Sequence, residues 1–185
     1  MKQILVMMAA VVLMGCEKKE SQASIFEKAA RKSLNNLENE RELTDKWLAR
    51  IDSLELADTQ ITDAGLKDLV KLQKLNFLDL TNTQITDTGL KEAAKLQKLE
   101  GLALGGTQIT DAGLKDLVKL QKLNFLVLTN TQITDAGLEE LAKMKQLEWL
   151  EMYDTQITEA GAAEFKKALP NCSILAPNGW SRRRY

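Results

Sequence analysis

The phrase Thr-Gln-Ile-Thr returns at Thr59, Thr83, Thr107, Thr131 and Thr155, always 24 residues after its last appearance. A fixed period of that size specifies a stack of supersecondary units, none of which can bury its apolar face alone. The copies are nearly superimposable: segments 59–82 and 107–130 differ only at Asp79 against Val127. Only two prolines occur, Pro170 and Pro177, both near the C-terminus, so nothing interrupts the array.

Each unit changes its apolar period once. In Leu75–Thr83, Leu78 and Leu80 alternate with Phe77, Asp79 and Thr81, the period-two pattern of a strand with one buried side. Ile85 and a turn follow, and from Gly89-Leu90 to Leu96 the apolar spacing is helical. Thr86 is placed to cap that helix, Asp87 to sit at its positive end, and Lys95 and Lys98 to lie near its negative end. A strand, a turn and a short helix close one coil, and successive strands then pair in parallel about 4.8 Å apart. Strands are predicted at Ser53–Leu56, Phe77–Leu80, Gly101–Leu104, Phe125–Leu128 and Trp149–Met152, with a sixth near Ser173–Leu175.

The pattern L-x-x-L-x-L-x-x-T-x-I-T-D-x-G-L-x-x-L, in consecutive copies, resembles the bacterial leucine-rich repeat, with threonine where many such repeats carry asparagine. The resemblance implies an α/β fold. Its form is a right-handed coil with a parallel concave sheet, short convex helices and a helical N-terminal cap, the repeat domain running over 51–176. Leu169-Pro170-Asn171-Cys172 resembles the ending of a last repeat, which makes Cys172 a small apolar filler.

Ahead of the repeats stands an address. Lys2 precedes the apolar run Ile4–Met14, about 17 Å of helix against a hydrocarbon core of about 30 Å. A basic start, a short apolar run and small residues form the pattern of a secretory signal. An ordinary cleaved signal or a short uncleaved anchor fits that pattern as well. Leu13-Met14-Gly15-Cys16 resembles a bacterial lipobox. The resemblance implies that 1–15 is a signal peptide and that Cys16 is acylated, tethering the chain to the membrane through the polar segment 16–23. Each buried methylene of an acyl chain contributes about 0.8 kcal/mol, so two chains anchor stably. Glu17, in place of the aspartate that retains lipoproteins at the inner membrane of enteric bacteria, favours the outer membrane. With Cys16 acylated, Cys172 has no partner for a disulfide.

Residues 24–50 read as a helical cap over the open first coil. Ser24 and Glu27 fit a capping box that starts a helix at Ile25, and Phe26, Ala30, Leu34 and Leu37 follow at helical spacing. A second helical stretch carries Leu43, Trp47 and Leu48; a coiled-coil arm for dimerisation is the alternative.

Composition excludes more than it suggests. The 25 basic and 26 acidic residues nearly cancel, so no nucleic acid or anionic surface is implied as a bulk partner. No histidine is present, which removes the usual general base and the commonest metal ligand. Glu55 and Asp79 are expected about 5 Å apart, near the spacing of a retaining glycosidase, but on an open face with no cleft around them. With Asp58 they offer at most a weak calcium site. Gly101, Gly105 and Gly106 lack the Lys-Ser/Thr that a phosphate loop requires. No catalytic residue, cofactor or metal is expected. The tail 177–185, with Trp180 and Arg182–Arg184, reads as a frayed basic end.

What remains is the concave sheet, whose outward residues form columns. These are Ser53, Phe77, Gly101, Phe125, Trp149; then Glu55, Asp79, Ala103, Val127, Glu151; then Ala57, Thr81, Gly105, Thr129, Tyr153; and last Asp58, Asn82, Gly106, Asn130, Asp154. The third repeat is bare, which predicts a shallow dip between Phe77 and Phe125, with Ala103 facing water. Exposed aromatics on a rigid sheet are usual anchors of protein recognition. Phe77, Phe125, Trp149 and Tyr153, with Glu55, Asp79 and Glu151, are therefore the expected ligand-binding residues, although Phe77 and Phe125 packing on one another would leave them structural. The function expected is a monomeric, exported recognition scaffold for another protein, held by Cys16 at the bacterial cell membrane or outer membrane. A glycan or cell-wall binder and a purely structural envelope protein are the alternatives.

Overall fold

A computed structural model describes residues 21–33 and 50–176. Cys16, the apolar run, Leu43, Trp47 and Leu48, and Trp180 and Arg182–Arg184 lie outside the described residues.

The order is α1 (Gln22–Ser33), β1 (Ser53–Glu55), α2 (Asp63–Leu69), β2 (Phe77–Asp79), α3 (Asp87–Ala93), β3 (Gly101–Ala103), α4 (Asp111–Leu117), β4 (Phe125–Val127), α5 (Asp135–Leu141), β5 (Trp149–Glu151), α6 (Glu159–Ala168) and β6 (Ser173–Leu175). The six strands form one parallel sheet in sequential order, and the register follows the repeat: Phe77 pairs Gly101, which pairs Phe125, which pairs Trp149. Five predicted strands end one residue early, yet their hydrogen bonds run on. Leu56 N donates to Asp79 O at 2.8 Å and Asp58 N to Thr81 O at 2.9 Å.

Each coil buries the leucines that its periods predict. In the first, Leu54, Leu56, Ile61, Leu66, Leu69, Leu72 and Leu75 are all buried, and the equivalent positions join them in one continuous core. Two threonines per coil explain the recurring phrase. The first turns the chain: Thr83 Oγ1 donates to Leu80 O at 2.6 Å, and Thr107 and Thr131 do the same to Leu104 and Leu128. These hydroxyls are buried, and each satisfies a carbonyl leaving the sheet. From the second coil onward the second threonine caps the helix, as Thr86 Oγ1 accepts from Thr88 N at 3.2 Å, whereas Thr62 of the first coil makes no such bond.

Asp87 does more than sit at a helix end. Its Oδ1 accepts from Thr110 N at 2.8 Å and its Oδ2 from Thr110 Oγ1 at 2.7 Å, so it ties its coil to the next. Asp63, Asp111 and Asp135 do likewise to Thr86, Thr134 and Thr158. The carboxylate lies where a Cβ on the glycine of the next Thr-Asp-x-Gly would stand: at Gly113 it would collide with Asp87 Oδ1. Aspartate and glycine in this motif are two halves of one contact between coils.

The first coil receives the same contact from α1. Gln22 Oε1 accepts from Thr62 N at 2.8 Å, while its Nε2 donates to Gln60 O at 2.8 Å. Ile25, Phe26, Ala29 and Ala30 are buried against the coil. The helix begins three residues before the predicted Ile25, because Ser21 Oγ, accepting from Ser24 N at 3.1 Å, starts it. At the far end Phe165, Leu169 and Cys172 close the core.

Candidate functional site

The open face of the sheet is built by the residues that alternate with the buried leucines. Phe77 and Phe125 sit two strands apart, about 9.6 Å at ordinary strand spacing. Their ring centroids are nevertheless only 6.5 Å apart, tilted by 47°. Gly101 permits this: a Cβ there would stand 2.5 Å from Phe77 Cδ2, so the Phe77 ring leans over the bare backbone of β3. Phe125 in turn lies 6.1 Å from Trp149, nearly parallel at 14°. Three rings from β2, β4 and β5 thus form one half-buried stripe.

The dip expected at the third repeat is largely closed. Gly101 and Gly105 are buried, and Ala103, expected to face water, is only 7% exposed between Asp79 and Val127. The missing side chains let the neighbours fold inward. What is left is a shallow depression lined by Asn76, Phe77, Glu100, Gly101, Asn124 and Phe125. Asn76, Glu100 and Asn124 escape the sequence reading because they stand one residue before the strands, although their 24-residue spacing marks them as a further column.

The carboxylates are not equivalent. Asp79 Oδ1 accepts from Thr81 N at 2.9 Å and Glu151 Oε1 from Thr129 Oγ1 at 3.0 Å, so both are held by the sheet itself. Glu55 pairs Asp79 in register and is exposed. Tyr153 is half-buried on the same face, and among the described residues no ring contact joins it to Trp149. Trp149 Nε1 is buried without a hydrogen-bond partner among the described residues, a cost of about 1–3 kcal/mol.

The last predicted column is not part of the sheet. Asp58, Asn82, Gly106, Asn130 and Asp154 all have φ between 53° and 67° and form the corner that leaves each strand. Glycine, asparagine and aspartate tolerate that left-handed conformation, which accounts for their recurrence. Asn82 Nδ2 donates to Asp58 Oδ1 at 2.9 Å along this rim.

Elsewhere the helix side is a solvated face. Lys71–Asp68, Lys95–Glu92, Lys119–Asp116, Lys143–Glu140 and Lys167–Glu164 pair at i, i+3 in successive coils. Cys172 is 1% exposed, and burial, opposed by Lys166 and reinforced by Glu148, raises its thiol from 9.0 to about 11. Among the described residues no three of His, Cys, Asp or Glu cluster as metal ligands would, and no helix is long and apolar enough to cross a membrane.

Residues 51–70, 71–92, 95–118 and 119–142 match the leucine-rich-repeat family. With the sequential parallel sheet and its alternating helices, the match makes this molecule a leucine-rich-repeat α/β solenoid. A leucine-rich-repeat protein of Leptospira interrogans is similar over 69% of this chain and 38% of its own, at 27% identity and a TM-score of 0.50. This chain therefore spans well under half of that protein. Two Listeria monocytogenes internalins are more distant. Internalin C2 is 23% identical over 81% of each chain, with a TM-score of 0.44. Internalin F is 19% identical over 83% of this chain and 55% of its own, with a TM-score of 0.47. No curated protein matches the chain.

Proposed function

We propose that this chain is a recognition scaffold of the bacterial envelope that binds another protein through the open face of its sheet, anchored by acylated Cys16. The observation that carries this reading is the stripe of Phe77, Phe125 and Trp149, half-buried rings on a sheet whose coils are tied by repeated Asp–Thr contacts. Rigidity matters because a partner then meets side chains already ordered, and little further entropy is lost on binding. The recurring aspartates and threonines of the repeat serve the coil itself, which leaves the strand face as its variable surface. Cys16 supplies the address: the segment ahead of it is too short to span a bilayer, and a thioether-linked lipid would hold the scaffold at the membrane.

The test is affinity capture from envelope extracts with wild-type chain, Phe125→Ala, Trp149→Ala and the helix-side control Lys115→Ala. A captured protein should be lost with the two aromatic variants and kept with Lys115→Ala. Capture displaced by free oligosaccharide would move the reading to glycan binding. Incorporation of a clickable fatty acid should disappear in Cys16→Ser, and label persisting there would refute the anchor.

A further inference from the structure

The depression on the sheet face sets one carboxylate and two amides beside two aromatic rings. Asn76, Glu100 and Asn124 stand side by side where successive strands begin, since Glu100 N donates to Asn76 O at 2.7 Å and Asn124 N to Glu100 O at 2.9 Å. Glu100 is exposed, and among the described residues its carboxylate enters no hydrogen bond or ion pair. The half-buried side-chain amides of Asn76 and Asn124 are equally without a partner there. Asp79 and Glu151, by contrast, are already held by Thr81 and Thr129. Phe77 and Phe125 border the row, and Gly101 contributes only backbone. No lysine or arginine lines the depression. Lys74, Lys98 and Lys122, two residues ahead of the row, are exposed and form no ion pair with Glu100.

Resting on the recognition reading above, we infer that this depression is the seat for one arginine side chain of the partner protein. Its volume is about 250 Å³, below the roughly 300–1,000 Å³ of a site for a drug-sized ligand, and enough for one long side chain. The charge selects a cation, because Glu100 is the one ionised group lining it and Asp79, on the same face of β2, adds a second negative charge nearby. The rings select a planar cation. With centroids 6.5 Å apart they leave no room between them, so a guanidinium lies flat on their solvent side. Its fork meets the Glu100 carboxylate in two parallel hydrogen bonds. The N–H groups left over need acceptors, and the amide oxygens of Asn76 and Asn124 stand one strand, about 4.8 Å, to either side of Glu100. An ammonium has no plane to stack and no fork to match the carboxylate. A metal ion would find a single carboxylate, and no three ligand groups cluster among the described residues.

N-acetyl-arginine amide titrated against the full chain tests this, beside N-acetyl-lysine amide and the neutral isostere N-acetyl-citrulline amide. The side-chain amide resonances of Asn76 and Asn124 and the Gly101 N–H report binding by NMR. The arginine compound should shift them saturably, with the lysine compound about threefold weaker and the citrulline compound about tenfold weaker or more. Glu100→Gln should weaken the arginine compound about tenfold, whereas Glu139→Gln, which removes an exposed carboxylate from the helix side, should leave it unchanged. Both glutamates are exposed, so an unshifted melting temperature will show the variants folded. Absence of saturable shifts, citrulline or lysine binding as tight as arginine, or arginine binding indifferent to Glu100→Gln overturns the inference. If it falls while envelope capture still depends on Phe125 and Trp149, the recognition reading stands. Saturable, Glu100-dependent arginine binding with no protein captured would keep the arginine seat and overturn the recognition reading instead.

Discussion

The two sides of the coil follow different rules. On the helix side the repeats are nearly interchangeable, because Asp63, Asp87, Asp111 and Asp135 must each meet the threonine and glycine of the following coil. On the sheet side the same register position holds serine, phenylalanine, glycine, phenylalanine and tryptophan in turn. The difference teaches that periodicity is kept where a side chain touches its own copy in the next coil, and relaxes where it touches only neighbours of the face. Even identical residues diverge there. Phe77 and Phe125 come from almost the same sequence, yet one leans over Gly101 while the other is flanked by two rings.

The comparison can be broken most forcefully at the core between the two sides. Leu102 is 0% exposed, so Leu102→Asp buries a carboxylate without a partner and should cost about 4 kcal/mol or more. The adjacent Ala103→Asp should cost about 1–2 kcal/mol, more than a surface change, because Ala103 is covered after all. Thermal melts of both variants check this. Equal shifts would mean that the sheet side is as closed as the core.

A double-mutant cycle sharpens the account of the helix side. Asp87→Ala removes two charge-assisted hydrogen bonds to Thr110 and should cost about 2 kcal/mol. Gly113→Ala should cost a similar amount, about 1–3 kcal/mol, since the new Cβ meets Asp87 Oδ1. With the carboxylate gone, the methyl group has less to strike, so the double variant should cost clearly less than the sum. Strict additivity in denaturant melts would show that aspartate and glycine act independently.

The two phenylalanines offer a smaller test. Ring pairs contribute about 0.5–1.5 kcal/mol beyond their burial, so Phe125→Ala should destabilise by about 1 kcal/mol more than Phe77→Ala. Equal costs would mean that the contact with Trp149 adds nothing.

The smallest effect is a loss confined to alkaline pH. Burial raises the Cys172 thiol from 9.0 to about 11, so the folded state favours the protonated form. That contribution is fully present below about pH 9 and is lost as pH rises through about 11. Stability measured across that window should fall more in the wild type than in Cys172→Ala. Parallel profiles would assign the alkaline loss to other groups.

Much of this was legible in the repeat itself. Leucines at period two and then at helical spacing place the strands, helices and core, since burial of apolar faces depends on local pattern once the register repeats. Phe77, Phe125 and Trp149 could be assigned to one column by counting in steps of 24 residues. The cap was less readable. Gln22 accepts from Thr62 N as each repeat's aspartate does from the threonine of the following coil, and nothing in its sequence neighbourhood announces that use. The positive φ of Asp58 and its equivalents likewise removed a whole column from the sheet, although residues tolerant of that conformation were visible there all along.

The sequence by itself determined the coil: its period, its parallel register and which leucines are inside, because each follows from contacts that recur at constant separation. Only the tertiary structure decided what lies on the open face. Whether Gly101 leaves a hole or a seat for Phe77, and whether Ala103 meets water or its neighbours, depends on how side chains from different coils lean into space that one lacks. The Asp–Thr–Gly contact belongs to the same class. Its members stand 23 and 26 residues apart, and only the stacking of one coil on the next brings them within hydrogen-bonding distance.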